Sequence, residues 1–229
     1  MTAPCNPKRI VALASGLALA AYVPTAWAAA SAANIAKHGA GSPVPACMSC
    51  HGAAGEGNAA AGFPRLAGLP AGYVAAQLRA FAQGTRGNSL MSPIAKAMSD
   101  AQITAVANYY AKLPKPAQTY GPMPAAAQAA LGERLAERGD WSSGIPSCFR
   151  CHGPGGIGVS ADFPPIVGQP ASYIESQIKA WKDGSRHNDP VGLMHTVALR
   201  MSDAATQSVA AWLAAERLGE AARSDKATH

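Results

Sequence analysis

Apolar positions recur at helical spacing in two parts of the chain that lie about a hundred residues apart. In the segment AGYVAAQLRAFAQG, one helix face is formed by positions i, i+1, i+4, i+5 and i+8, which are Tyr73, Val74, Gln77, Leu78 and Phe81. Gly84 stands where a C-terminal cap is expected. A second helix is predicted to begin after Ser99, a favourable N-cap, with Asp100 in its first turn. The same pair of helices is predicted at 171–183 and 202–217.

Each of these pairs is preceded by a further predicted helix, short at 32–37 and longer at 125–138. Loops rich in glycine and proline join the helices. The segment LPKPAQTYGPMP at 113–124 contains four prolines and indicates a semi-stiff linker. Because much of the 48% hydrophobic content is alanine and only 6% of residues are aromatic, two small domains would have thin cores. Such cores usually need a disulfide, a metal or a cofactor.

A superposition of residues 35–110 on 135–212 indicates an internal duplication. CMSCH at 47–51 corresponds to CFRCH at 148–152, and each is followed by a Phe-Pro dipeptide. The offset between the copies drifts only from 100 to 103, so they differ by short loop insertions. We therefore predict an all-α protein built from one duplicated domain. The predicted segments are an export signal at 1–28, a first domain at 29–115, a linker at 116–124 and a second domain at 125–229.

The first 28 residues have the pattern of a secretory signal peptide. Lys8 and Arg9 form a basic start, an apolar run follows at 10–23, and AWA at 26–28 is a small-x-small cleavage pattern. The apolar run is shorter than the roughly 20 residues of a membrane span, although an uncleaved anchor is the alternative. The sequence therefore predicts cleavage near Ala28 and a soluble periplasmic chain.

Cleavage would change both the cysteine count and the charge. It would remove Cys5 and leave four cysteines, all within the two Cys-x-x-Cys-His groups. It would also remove two cations and no acids from a formal net charge of +6. The remaining basic residues are spread along the chain without a Lys/Arg block, so nucleic acid is not a predicted partner.

Two cysteines three apart, followed at once by histidine, are the pattern that attaches a c-type haem. The thiols add to the two vinyl groups as thioethers, and the adjacent histidine reaches the iron. The sequence thus predicts two covalently bound haem c groups. The predicted attachment residues are Cys47, Cys50, Cys148 and Cys151, and the predicted iron ligands are His51 and His152.

Three other chemistries use paired cysteines: a disulfide, a thioredoxin-like dithiol and half of a zinc site. A thioredoxin-like dithiol would be expected in a βαβ context, whereas these segments lie in Gly/Pro loops between predicted helices. A zinc site that pooled both pairs would not explain why each copy carries its own histidine and methionines.

The predicted sixth iron ligands are Met91 and Met194, each about 40 residues beyond its histidine and just before a helix. Thioether coordination opposite histidine raises the reduction potential and is typical of electron carriers. Met98 and Met201 directly precede the Ser-Asp helix starts, and we expect them to pack as hydrophobic staples. His195, next to Met194, is the rival ligand, but Ser92 stands at its place in the first copy. Two other histidines without counterparts are predicted surface residues, His38 and His187.

With these motifs the chain resembles the dihaem cytochromes c of the cytochrome c4 family. The resemblance covers nearly all of the chain after the signal and implies two tandem class I cytochrome c domains. It also implies that the carbonyls of Pro64 and Pro164 accept hydrogen bonds from the ligand histidines. Leu66 and Ile166 would pack on the haem faces.

The resemblance leaves other matched positions with two interpretations each. Arg86 and Arg186 would either hold haem propionates or be solvated loop residues. A set of helix residues would line the haem edge or the contact between domains, or would simply pack; it consists of Tyr73, Tyr173, Gln77 and Gln177. The segment DPVGLM is longer than its counterpart NSLM, which sets the second methionine apart from the first.

Histidine and methionine on both irons leave no position for a substrate, so we expect a one-electron carrier and no enzyme. The resemblance implies redox protein partners: a bc1-type complex or a dehydrogenase as donor and a terminal oxidase as acceptor, with possible peripheral contact to membrane complexes. The alternatives are a dihaem peroxidase, a thiosulfate-oxidising cytochrome and a dedicated electron-accepting subunit of one dehydrogenase. The thiosulfate-oxidising class typically uses a cysteine axial ligand, and after cleavage no cysteine lies outside the two motifs.

Overall fold

The computed structural model describes residues 25–117 and 120–216. The first 24 positions of the predicted export signal lie outside the described residues, as does the chain after 216. Within the described ranges the regular structure is helical, and the only β-type pairings are isolated bridges. None of the helices in these ranges combines the length and the apolar character that crossing a bilayer requires.

The first half of the chain contains five α-helices. In chain order they are α1 (Thr25–His38), α2 (Met48–His51), α3 (Ala71–Gln83), α4 (Met91–Lys96) and α5 (Asp100–Lys112). Helix α1 packs on α5, and α3 contacts both α4 and α5. The apolar cluster between these helices includes Leu78, Phe81 and Val106.

The second half repeats this order. Its α-helices are α6 (Ala126–Glu137), α7 (Cys148–His152), α8 (Ala171–Lys182), α9 (Leu193–Arg200) and α10 (Asp203–Ala215). Single 3-10 turns lie at Trp141–Ser143, Pro154–Gly156 and Pro190–Gly192. Helix α6 packs on α10 as α1 packs on α5, and α8 contacts α9 and α10. The all-α prediction and the duplication are therefore confirmed for the described residues.

The long predicted helices form because their ends carry the expected signals. Gly84 has φ 83° and closes α3 in the left-handed region, which glycine enters without steric cost. The Ser99 hydroxyl accepts a hydrogen bond from the Gln102 backbone amide, and the Gln102 side-chain oxygen accepts one from the Ser99 backbone amide, which forms a capping box. In the second copy the Ser202 hydroxyl caps α10 by accepting from the Ala205 backbone.

Two local predictions are wrong, and two short helices were not predicted. The Cys-x-x-Cys-His segments are the short helices α2 and α7 and are not loops. The helix before the first motif runs from Thr25 to His38 and is longer than predicted. The two short helices α4 and α9 were not predicted: Met91 begins α4, and Met194 lies in the first turn of α9.

The two halves meet through a short antiparallel bridge between Arg86 and Arg186. The Gly87 amide donates to the Ser185 carbonyl over 2.7 Å, and the His187 amide donates to the Thr85 carbonyl over 2.9 Å. The bridge joins two equivalent turns, so the contact has approximate twofold symmetry.

Side-chain hydrogen bonds from both halves converge on Gln77. Its Oε1 atom accepts from Arg86 Nη1 at 3.0 Å, from Arg186 Nη2 at 3.0 Å and from Asn188 Nδ2 at 2.9 Å. Gln177 is the counterpart and accepts from Arg86 at 2.6 Å and from Arg186 at 2.9 Å. The matched glutamines thus connect the halves, which is one of their predicted roles, whereas the part that the arginines play in this contact was not predicted.

The linker also contacts both halves. The Tyr120 amide donates to the Ala214 carbonyl at the end of α10 over 2.8 Å. Its hydroxyl donates to the Glu56 carbonyl in the first half. Through these two hydrogen bonds, Tyr120 binds this part of the proline-rich segment to both halves.

We expect Gly132→Ala to lower the free energy of unfolding by about 2 kcal/mol. An added Cβ would lie 2.5 Å from the Ser208 carbonyl oxygen and 2.6 Å from the Trp212 Cβ, so α6 could not approach α10. This cost exceeds the gain of about 1 kcal/mol that alanine normally brings to a helix interior. Denaturant unfolding checks it, with Gly121→Ala as the control, since no atom of the described residues lies within 4 Å of a Cβ there. Equal stability of the two variants would contradict the packing argument.

We expect Gln77→Leu to destabilise the contact between the halves by about 2–3 kcal/mol, because three donors lose an acceptor and two of them are buried arginines. Thermal unfolding of the haem-loaded protein measures the loss. Gln83→Leu, at an exposed position of the same helix, is the matched control and should change little. If both variants unfold alike, the network does not hold the halves together.

Candidate haem sites

Each half of the chain borders a cavity, and the two cavities are of similar size. The cavity of the first half measures about 520 Å³ and that of the second about 540 Å³. Both values lie within the range of roughly 300–1,000 Å³ that is usual for small-molecule and cofactor sites. Residues of the contact between the halves line both cavities, and these are Tyr73, Gln77, Tyr173, Gln177 and Arg186. The two sites are therefore neighbours that share a wall.

The predicted attachment cysteines line these cavities. Cys47 and Cys50 lie at the first cavity, and Cys148 and Cys151 lie at the second. None of the four thiols takes part in a disulfide. Burial raises the pKa of the Cys47 thiol and raises that of Cys148 to about 11, so both are neutral thiols at pH 7. A redox-active dithiol would require a lowered thiol pKa, so this environment argues against a thioredoxin-like role.

The two histidines have matching partners. The Nδ1 atom of His51 lies 2.9 Å from the Pro64 carbonyl, and that of His152 lies 2.7 Å from the Pro164 carbonyl. A carbonyl only accepts, so Nδ1 carries the proton in each ring. Burial lowers the pKa of both histidines, although the carbonyl contact acts in the opposite direction. Each ring is therefore neutral near pH 7 and has an unprotonated Nε2, which is the form that ligates iron.

The Phe-Pro dipeptides support these rings. The Phe63 ring centroid lies 6.0 Å from that of His51, and the Phe163 centroid lies 6.3 Å from that of His152 in an edge arrangement. The expected role of both prolines is thus present in the structure. Leu66 and Ile166, expected at the haem faces, line the first and second cavities respectively.

The predicted axial methionines lie at the cavities in matching elements. Met91 is half-buried at the start of α4, where its amide donates to the Asn88 side chain over 2.8 Å. Met194 is half-buried in the first turn of α9. The backbone amide of the following residue, His195, donates to the Asp189 carboxylate over 3.0 Å. The longer second loop thus still places its methionine at the cavity wall.

The second methionine pair also lines the cavities but lies deeper. Met98 is 9% exposed and Met201 6% exposed, and each belongs to the apolar core of its half. Their predicted packing role is confirmed, while the axial role of Met91 and Met194 stays a prediction.

Three further histidines lie in the described part of the chain, and none of them lines either cavity. His195 does not line the second cavity, and its Nδ1 atom lies 2.7 Å from the Trp181 carbonyl. His38 and His187 are exposed, as predicted. The structure thus gives no support to His195 as a rival to Met194.

Arg86 and Arg186 are 6% and 4% exposed, so they are not solvated loop residues. Arg86 lies over the Phe81 ring at 4.4 Å and Arg186 over the Trp181 ring at 3.9 Å. Neither takes part in the ion pairs found among the described residues. The repeat reveals their matched positions but not their burial, because several of their hydrogen-bond partners lie in the other half.

This donor set fits a c-type haem in each cavity. The space is suitable in volume, with two thiols, a neutral imidazole and a thioether on its wall. Buried arginines beside it are suited to the two carboxylates that a haem carries. No group of three or more acidic, cysteine or histidine side chains that could hold a metal ion occurs in the described part of the chain. The chemistry of the wall therefore favours haem over a zinc site.

Comparison with known proteins agrees with these sites. A family model described as cytochrome c matches residues 36–114. The thiosulfate dehydrogenase electron acceptor of Thiomonas intermedia (strain K12) is 58% identical over 211 residues, which is 92% of each chain. Cytochrome c4 of Thiocapsa roseopersicina is 37% identical over 172 residues, covering 73% of this chain and 85% of its own.

A solved structure has the same fold. The thiosulfate dehydrogenase (TsdBA) of Marichromatium purpuratum matches with a TM-score of 0.74 and 41% identity over 83% of this chain. The match spans only 40% of that longer chain, so this protein corresponds to a part of it. Together with the duplicated helical fold and the two Cys-x-x-Cys-His motifs, these similarities show that the chain belongs to the cytochrome c4 family, electron-transfer proteins with two covalently bound haem c groups.

Proposed function

We propose that this cytochrome accepts electrons from a thiosulfate dehydrogenase in the periplasm and delivers them towards a terminal oxidase. The observation that carries the proposal is the 58% identity, over 92% of both chains, to a protein named thiosulfate dehydrogenase electron acceptor. The similarity to part of a chain named thiosulfate dehydrogenase supports the same donor. Of the functions considered from the sequence, this favours the dedicated electron acceptor.

The proposal assigns each site residue a role. The attachment residues are Cys47 and Cys50 in the first half and Cys148 and Cys151 in the second. The proposed iron ligands are His51 with Met91 and His152 with Met194. When bound, the haem supplies reversible one-electron exchange between ferric and ferrous iron.

The surrounding residues orient the ligands and isolate the sites. Pro64 and Pro164 hold the histidine tautomer, which keeps Nε2 free for iron. The apolar cores exclude water from the inner side of each cavity. Because the two cavities share a wall, we propose that an electron entering one half can pass to the other within the same molecule.

A second candidate is a general carrier that takes electrons from a bc1-type complex. The general carrier is favoured by the 37% identity to a relative that is named cytochrome c4. Both candidates use the same residues and differ in the donor alone. The protein that reduces the cytochrome therefore separates them.

The proposal includes export and domain organisation. The basic start, short apolar run and AWA pattern support a signal at 1–28 and a periplasmic location. We propose domains at 29–115 and 125–229, joined by the linker at 116–124. The separate apolar clusters of the two halves support this division.

Met91→His and Met194→His should each lower the reduction potential of one haem, on the order of 100 mV or more, because imidazole favours ferric iron more than a thioether does. Spectroelectrochemical titration of each variant measures the shift. Met98→Leu and Met201→Leu are matched controls in the same cavities and should leave both potentials nearly unchanged. Unchanged potentials in the histidine variants would rule out the proposed axial ligands.

The donor is tested by mixing the oxidised cytochrome with a purified thiosulfate dehydrogenase and thiosulfate under anaerobic conditions. We expect rapid reduction of both haems, two electrons per chain, followed as absorbance in a stopped-flow instrument. Thiosulfate without the enzyme is the control and should reduce neither haem at a comparable rate. Reduction by a bc1-type complex with quinol, but not by the dehydrogenase, would favour the general carrier instead.

A further inference from the structure

Arg65 is a fully buried cation between the two halves of the protein. Its side chain is 0% exposed, and it is among the largest fully buried side chains of the described residues. The aligned position in the second half is Pro165, so the charge breaks the symmetry of the duplication.

The guanidinium binds backbone carbonyls on both sides of the contact. Its Nη1 atom donates to Ala67 over 2.5 Å within the first half. Its Nε atom donates to Gly168 over 2.9 Å and its Nη2 atom to Val167 over 3.4 Å in the second half. Every acceptor is a neutral carbonyl.

The Gln169 side chain forms two hydrogen bonds with the main chain of Arg65, and we call this pair of hydrogen bonds the clamp. Its Oε1 atom accepts from the Arg65 amide at 2.9 Å, and its Nε2 atom donates to the Arg65 carbonyl at 3.1 Å. The position aligned with Gln169 in the first half is Leu69, so this clamp also lacks a counterpart.

The charge has no carboxylate partner among the ion pairs of the described residues. Burial lowers the pKa of Arg65 to about 10, which still leaves it protonated at neutral pH. Burying a cation among neutral carbonyls is costly, and a neutral hydrogen-bond donor could serve the same carbonyls without that cost. A structural role alone therefore gives little reason for a charged residue here.

The location of the charge supplies a reason. Arg65 lines the first cavity and directly follows Pro64, whose carbonyl holds His51. Its carbonyl partners Val167 and Gly168 follow Pro164, which holds His152. The cation thus lies between the two loops that support the proposed histidine ligands. A fixed positive charge in a region of low dielectric favours the iron state that carries one positive charge less.

We propose that Arg65 is an electrostatic positioning residue that raises the reduction potentials of both haems while joining the two halves. Each one-electron reduction converts ferric to ferrous iron and lowers the site charge by one, so the nearby cation stabilises the product. The effect favours uptake of electrons from the donor. This inference rests on the two haem sites and not on the identity of the donor.

The test compares Arg65→Met with Arg65→Lys in the haem-loaded protein. Arg65→Met removes the charge, and we expect it to shift each reduction equilibrium about tenfold towards ferric iron, which equals about 59 mV for a one-electron couple. Arg65→Lys keeps the positive charge at pH 6 but loses the planar guanidinium group. The reduction equilibrium of each haem should therefore stay within about threefold of wild type. Both variants should lower the thermal unfolding midpoint.

A third variant separates the clamp from the charge. Gln169→Leu copies the residue of the first half, removes the clamp and keeps Arg65. It should lower the unfolding midpoint and, although Gln169 lines the second cavity, shift both potentials much less than Arg65→Met does. The shift in Arg65→Met should also persist at high ionic strength, because buried charges are screened much less than exposed ones.

A purely structural role predicts a different pattern. Arg65→Met and Arg65→Lys would then have equal potentials, or Gln169→Leu would shift them as much as Arg65→Met does. Either result overturns the proposal, as does an Arg65→Met protein with unchanged potentials. If Arg65→Met does not fold, Arg65→Gln serves as the uncharged variant and must differ from Arg65→Lys in the same direction.

Discussion

The fold depends on the filling of two cavities of about 520 and 540 Å³. Without haem the apolar walls of these open cavities would face water, and at about 25 cal/mol per Å² their exposure would cost on the order of several kcal/mol each. That is comparable to the whole stability of a typical domain, which is about 5–15 kcal/mol. The cores around the cavities are built largely from alanine and a few larger side chains. Covalently bound haem therefore serves as the centre of each core as well as the redox group.

Attachment of the haem also accounts for the local structure around it. The short helices α2 and α7 each place a cysteine pair and a histidine on one cavity wall, and a proline carbonyl then holds each histidine ring. On another part of the wall, α4 and α9 carry the proposed methionine ligands. The same arrangement occurs twice, and the contact between the halves brings the two sites side by side. This proximity suits the molecule to carrying two electrons.

The sequence predicts the long helices and the haem motifs well, because their signals are local. Gly84 and Ser99 mark helix ends through their own chemistry, and the two Cys-x-x-Cys-His groups are specific by spacing alone. It predicts α4 and α9 poorly, because they are short and depend on packing. Arg65 and Arg86 are not predicted to be buried, because the groups around them belong to a segment about a hundred residues away.

The central claim is that each half holds one haem whose iron is bound by histidine and methionine. The absorption spectrum of the oxidised protein at neutral pH tests it most directly, with the haem content determined on the same sample. Low-spin spectra with a methionine-to-iron charge-transfer band of the strength expected for two haems per chain are the predicted result. High-spin iron, or a charge-transfer band that accounts for one haem or none, would contradict the account.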